Sequence, residues 1–215
     1  MKIKVDIWMD YVCPFCYIGF EEFNNAIEKL GNRDELEINY KAFQLDRGAP
    51  LQESHKAIDG LVKKFGSVEK VNELQEIIHS RADKLGIKFD YDKMLAQNTI
   101  KAHTIYKLAK EQGLGNEYQR AMFKAVFEDG KFMSSDEELK SLGSEIGMDL
   151  SKFEEALKDE SKYLNSVKED LVQARHFKIG GVPFYVFNDK YSIQGAQDQG
   201  MFERVMIQVK EEAQE

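Results

Sequence analysis

Cysteine occurs twice in this chain of 215 residues, proline three times and tryptophan once. The cysteines, Cys13 and Cys16, stand alone, so a closed structural zinc site, which takes four ligands, lacks its second pair. His55, His79, His103 and His176 are scattered and form no ligand spacing. No metal is expected, although zinc shared between two copies stays open at this point. No stretch approaches the length of a membrane span, and no basic run offsets a formal net charge of −8. Nonspecific contact with nucleic acid or an anionic membrane is therefore disfavoured. The first residues, "MKIKVDIWMDYV", lack the continuous apolar segment of a secretory leader. We expect a cytoplasmic protein, in a reducing compartment that disfavours a permanent disulfide.

What is present is an ordinary globular composition, 42% apolar, with a strong order of elements. "KIKVDIW" alternates, with Ile3, Val5 and Ile7 on one side and Lys2, Lys4 and Asp6 on the other, which is a strand pattern. The cysteines follow at once. Phe20, Phe23, Ile27 and Leu30 then recur at helical spacing until Gly31-Asn32. "ELEINYKAF" alternates again, as a second strand predicted to be parallel to the first. Beyond Gln44–Pro50 the signals are helical for more than a hundred residues. Val68, Val71, Leu74, Ile78, Ala82 and Leu85 make one stripe; Tyr118, Met122, Val126 and Phe127 make another. Ser135 with Glu138, and Ser151 with Glu154, match capping boxes. Strand signals return in Gly180–Phe187 and Tyr191–Ala196, joined by an Asn188–Lys190 turn as a hairpin. A last helix carries Phe202, Val205, Met206 and Val209.

The order is βαβ, a helical block, then ββα. We read an α/β, thioredoxin-like fold with a large all-helical insertion, the DsbA variant. Residues 1–47 and 163–215 form the discontinuous thioredoxin-like domain and residues 48–162 the inserted one.

Cys13 falls between a strand and a helix. A helix N-terminus offers unpaired amides and a positive dipole end. Thiols there have pKa values of about 3.5 to 7.5 against about 8.5. Pro14 suits the first turn, where no amide partner is needed. Cys16 lies one turn on, within reach of a mixed disulfide at Cys13. This makes Cys13 an exposed nucleophile and Cys16 the resolving thiol. The competing reading is two inert, buried cysteines. Pro183 opens a strand, where a trans proline is ordinary. In the thioredoxin layout we instead expect a cis Val182–Pro183 bond facing the cysteines, with the Val182 backbone offered to a substrate strand.

"DYVCPFCYIG" (Asp10 to Gly19) resembles the active-site segment of the FrnE-like branch of DsbA-type thiol oxidoreductases, where CPWCYIG is common. Phe15 stands in place of that Trp. "NTIKAH" (Asn98 to His103) resembles the family's insertion motif, and Gly181 to Gln197 its cis-proline strand and hairpin. The resemblance spans nearly the whole chain. It implies a thiol–disulfide oxidoreductase with its redox site at Cys13, Cys16 and Pro183, and with Pro14, Phe15 and Val182 meeting substrate. His103 is read as a helix residue at the seam of the insertion in preference to a catalytic base. Asp6 and Asp10 raise the question of a proton acceptor for Cys16, with Asp10 read as a loop residue. Trp8 and Tyr17 line the site or belong to the core. Related kappa-class glutathione transferases and hydroxychromene-carboxylate isomerases carry Ser or Thr where Cys13 stands, so two cysteines favour redox work. A glutathione-dependent transferase or isomerase, and a non-enzymatic peptide-binding module, are the alternatives. No cofactor beyond the dithiol is expected. Partners would be proteins with disulfides or thiols, recycled by a reductase or by glutathione. The insertion sets either substrate choice or a homodimer contact.

Overall fold

The computed structural model describes residues 2–52, 55–158 and 161–213. In chain order it begins with β1 (Ile3–Met9), α1 (Pro14–Leu30), β2 (Leu36–Ala42), β3 (His55–Lys56), α2 (Ala57–Phe65) and α3 (Val68–Ala82). Then come β4 (Leu95–Ala96), α4 (Ile100–Glu111), α5 (Gly115–Phe127), α6 (Asp136–Glu145), α7 (Leu150–Lys158) and α8 (Ser161–His176). It closes with β5 (Phe184–Phe187), β6 (Tyr191–Gln194) and α9 (Gln199–Glu212). Two compact units result, Met1–Phe43 with Asp170–Glu215, and Gln44–Glu169.

The first unit is built on a four-stranded sheet of order β2-β1-β5-β6. β1 runs parallel to β2 and antiparallel to β5, and β6 pairs antiparallel with β5. This is the βαβ-plus-ββα sheet expected from the sequence. The period-2 alternation divides its side chains between two faces. Ile7 pairs with Tyr185 and Val5 with Phe187, on the face where Phe23 of α1 and Phe202 of α9 meet Tyr185. The ring centroids there lie 4.8 to 5.7 Å apart in tilted and edge-on pairs, each worth about 0.5–1.5 kcal/mol beyond burial. Trp8 pairs with Phe184, and Asp6 with Val186, on the opposite face. There Trp8, Ala174, Ile179 and Val186 form a second small core.

α1 ends where Gly31 turns left-handed, φ 62°, as the Gly-Asn pair predicts. The hairpin turn uses Asn188 and Asp189, both at positive φ, which these short polar side chains tolerate. β5 starts at Phe184, four residues later than expected. Gly180–Val182 form a bend without ladder hydrogen bonds among the described residues, and Pro183 is tied to the hairpin only by accepting the Gly195 amide at 2.8 Å.

The second unit is helical, with Tyr118, Met122, Phe123, Phe127, Leu139 and Phe153 all buried. The Tyr118 hydroxyl donates to the Ala102 carbonyl at 2.8 Å. It also contains a two-stranded ribbon, β3 with β4, where only helices were expected; two-residue strands leave no periodicity to read. Ser135 caps α6 as predicted, its oxygen accepting the Glu138 amide. Ser151 does not cap α7. Asp149 does, accepting the Ser151 amide and hydroxyl.

The unit boundaries fall after residues 43 and 169, against 47 and 162 expected. The second lies inside α8 because Asp170 is bonded into the sheet unit. Its carboxylate accepts the Ala42 amide at 2.9 Å and its carbonyl accepts the Trp8 indole N–H at 3.1 Å.

Candidate active site

The two cysteines sit where β1 hands over to α1. Asp10–Cys13 makes a turn, with the Cys13 amide donating to the Asp10 carbonyl at 3.1 Å. Cys13 is the N-cap in an extended conformation, Pro14 opens the helix, and no acidic residue occupies the first turn. The Cys13 carbonyl accepts the amides of Cys16 and Tyr17. The first-turn Phe15 amide and the dipole thus point positive potential towards Cys13.

Both thiols are free. The Cys13 thiol donates to the Val182 carbonyl at 3.5 Å, and the Val182–Pro183 peptide is cis, as the sequence reading expected. The expected exposure of Cys13 is corrected: it is 5% accessible, against 0% for Cys16, because the proline loop lies against it. Cys16 faces inward and accepts the Asp10 amide at 3.5 Å. Burial pushes its thiol well above the ordinary cysteine range. A hydrogen bond and negative charge from Cys13 add to this, as does the Asp10 carboxylate, outweighing the Asp10 amide.

The other candidates fall into place around this pair. Asp10 follows β1 as the loop residue expected, and it is fully buried beside Cys16. The turn that presents Cys13 folds it inward. Pro14 and Phe15 are half-buried at the helix start, and Tyr17 is 5% accessible. Trp8 is completely buried in a cluster with Ala174, Ile179 and Val186, against which Val182 and Phe184 pack, so it supports the proline loop from behind and does not line an open site. Asp6 lies further down β1, paired with Lys4 at 3.2 Å. His103 is buried in α4 and belongs to the second unit. Among the described residues no group of three or more His, Cys, Asp or Glu is placed to hold a metal.

Two residues escaped the sequence reading. Gly19 lies in the middle of α1, where a Cβ would come within 2.5 Å of the Tyr185 hydroxyl and 3.1 Å of Pro183 Cγ. The signal was available, since glycine inside a helix costs about 1 kcal/mol relative to alanine and so implies a packing reason. Asp170 carried no signal, its partners being 128 and 162 residues away.

Comparison with known proteins agrees with this geometry. The description of a DSBA-like thioredoxin domain matches residues 4–206. YwbO of Bacillus subtilis (strain 168), an uncharacterized protein, is 27% identical over 208 residues, covering 96% of both chains. A solved structure of a probable DsbA oxidoreductase from Streptomyces coelicolor superposes with a TM-score of 0.89 at 28% identity, over 98% of this chain and 91% of that one. A 2-hydroxychromene-2-carboxylate isomerase gives a TM-score of 0.70 at 20% identity, over 98% and 97%, and shares the fold.

Proposed function

Because the chain belongs to the DSBA-like thioredoxin domain family, we propose that it is a thiol–disulfide oxidoreductase working through Cys13 and Cys16. One observation carries this reading: a helix N-cap thiol stands 3.5 Å from the carbonyl that precedes a cis proline, with a second thiol one turn behind it. A packing role for the cysteines requires none of this.

In the reducing direction, Cys13 as thiolate attacks one sulfur of a substrate disulfide and expels the other as a thiolate. Cys16 gives up its proton and attacks Cys13 Sγ, releasing the second substrate thiol and leaving the Cys13–Cys16 disulfide. Two electrons and two protons pass to the substrate. Burial keeps Cys16 protonated until then, so the resolving step needs an acceptor. Asp10, buried beside it, takes that role. Val182 offers both backbone groups to an extended substrate: the residue is half-buried, and its amide makes no backbone hydrogen bond among the described residues. Pro14, Phe15 and Pro183 border that strand position.

The CPFCYIG run supports a place in the FrnE-like branch. The substrates we propose are protein disulfides, with a reductase or glutathione restoring the dithiol. In the cytoplasm such a couple runs as a reductase or isomerase. Insulin-disulfide reduction tests the activity, and its survival in Cys13→Ser would sink the reading. Titration in glutathione buffers, read by mass shift, tests direction. A potential near about −270 mV marks a reductase and one near about −120 mV an oxidant. Glutathione conjugation that persists in Cys16→Ala would favour the transferase alternative instead.

A further inference from the structure

We propose that Trp8 is the positioning residue of the redox site, the anchor that seats the Phe177–Phe184 segment so that Val182 can receive a peptide strand beside Cys13. The inference rests on the thiol–disulfide reading above and adds what holds its peptide-binding edge in place.

The segment has little backbone support. The amides of Phe177, Lys178 and Ile179 bond back to the end of α8, and the next cross-link is from the Gly195 amide to the Pro183 carbonyl. Between them Gly180, Gly181 and Val182 donate to no backbone group among the described residues. The two glycines have open space around them. What holds the segment is side chains, and they converge on one ring. Phe177 meets Trp8 edge-on at 5.6 Å and Phe184 at 6.5 Å. Ile179 and Val182 pack in the same cluster. Contacts therefore flank the unsupported stretch on both sides.

Trp8 is itself locked. Its indole N–H donates to the Asp170 carbonyl at 3.1 Å. The Lys41 ammonium lies 5.4 Å from the ring centroid and is held by Gln173 at 2.9 Å, with Asp6 and Asp170 nearby. A side chain with its hydrogen bond, packing and cation contact all satisfied has one orientation, which is what a positioning residue requires. Among the described residues its hydrogen-bond, ring and cation partners include neither thiol, so it acts through the segment that carries Val182.

The consequence is selective. A peptide disulfide uses the Val182 backbone, whereas bis(2-hydroxyethyl) disulfide has no peptide backbone to pair. Displacing the segment should penalise the first far more than the second. A misplacement of about 1 Å can cost on the order of 100-fold.

The experiment measures second-order reduction rates of a cystine-containing peptide and of bis(2-hydroxyethyl) disulfide by wild type, Trp8→Phe and Ile179→Ala. Trp8→Phe removes the indole donor and part of the ring. Ile179→Ala loosens the same contact from the loop side and keeps the test available if the tryptophan variant does not fold. The expected result is a loss of about 10- to 100-fold on the peptide with the small disulfide changed several-fold less, in either variant that folds. Equal loss on both substrates, or no loss, overturns the positioning role, since a general structural defect moves the two together. A wild type that reduces neither substrate overturns the oxidoreductase reading, and the anchor falls with it.

Discussion

Alanine at position 19 puts two effects of opposite sign on one atom. In an exposed helix the change from glycine would stabilise by about 0.8–1.0 kcal/mol. Here the new Cβ would lie 2.5 Å from the Tyr185 hydroxyl, 3.1 Å from Pro183 Cγ and 3.4 Å from Ala196 Cα. A hydroxyl at the end of a free side chain would swing away. Tyr185 is completely buried, with its ring 4.8 Å from Phe202 and 5.7 Å from Phe23, so it has nowhere to go. Pro183 is the residue beside Cys13. Overpacking of this kind costs about 1–3 kcal/mol, and two rigid neighbours put it in the upper half of that range. We expect Gly19→Ala to be destabilised by about 1–2 kcal/mol after the propensity gain. Urea denaturation followed by Trp8 fluorescence reads this, because Trp8 lies in the same unit. Insulin reduction should fall as well, since relief requires α1 and the proline loop to separate. Tyr185→Phe removes the shortest contact, so the double variant should recover part of the loss, a coupling visible in a double-mutant cycle. A Gly19→Ala protein about 1 kcal/mol more stable than wild type, with full activity, would refute the close approach.

Three further expectations rest on single contacts. The Cys16 thiol is raised in the folded dithiol, so its protonated form contributes stability below the unfolded cysteine pKa, and that contribution is lost as pH rises above it. Denaturation midpoints of the reduced protein should fall above about pH 9, and a Cys16→Ala variant should lack that part of the slope. Asp10→Asn should slow resolution of a Cys13 mixed disulfide by about 100-fold while leaving its formation within a few-fold, measured by quenched-flow mass analysis. Glu212, held down to about 2 by Lys190 and the Tyr191 hydroxyl, stabilises the contact between α9 and the hairpin above the ordinary glutamate range and loses that effect as pH falls towards 2. Glu212→Gln should therefore flatten acid unfolding monitored between pH 4.5 and 2.

The legible parts of the molecule are those set by short-range pattern. The strand–cysteine–helix junction, the Gly31 stop and the Asn188-Asp189 turn each depend on a few adjacent residues, and each appears where the periodicity places it. Pro183 became informative only once the order of elements put it opposite the cysteines. Trp8 shows where pattern ends. Alternation assigns it to the side of β1 away from Ile7, but a period of two says nothing about what covers that side. The cover comes from the end of α8 and the Phe177–Phe184 segment, 160 or more residues on. The same distance hid Asp170, and with it the true end of the sheet unit. Asp10 is the loop residue its position predicts, but its burial was not legible, because that depends on how the turn packs beneath the helix start.

Burial does not distinguish the two thiols, since 5% and 0% accessibility differ by little. Their hydrogen-bond partners do. Cys16 accepts an amide and faces a carboxylate, an arrangement suited to giving up a proton late in the cycle. Cys13 donates to Val182, and a thiol that reacts as thiolate must lose that bond. The carbonyl left behind belongs to half-buried Val182, and an acceptor left unmet away from solvent costs about 1–3 kcal/mol. An extended peptide whose amide bonds to Val182 replaces the lost donor, so docking and reaction share one acceptor atom. A small disulfide brings no such amide and leaves the cost unpaid. The Trp8 anchor and the preference for peptide disulfides are thus linked through the Val182 carbonyl. Replacing the Val182 carbonyl by a thioamide, by semisynthesis, weakens that acceptor while keeping Pro183 and should narrow the rate difference between peptide and small disulfide; an unchanged difference would separate the two ideas.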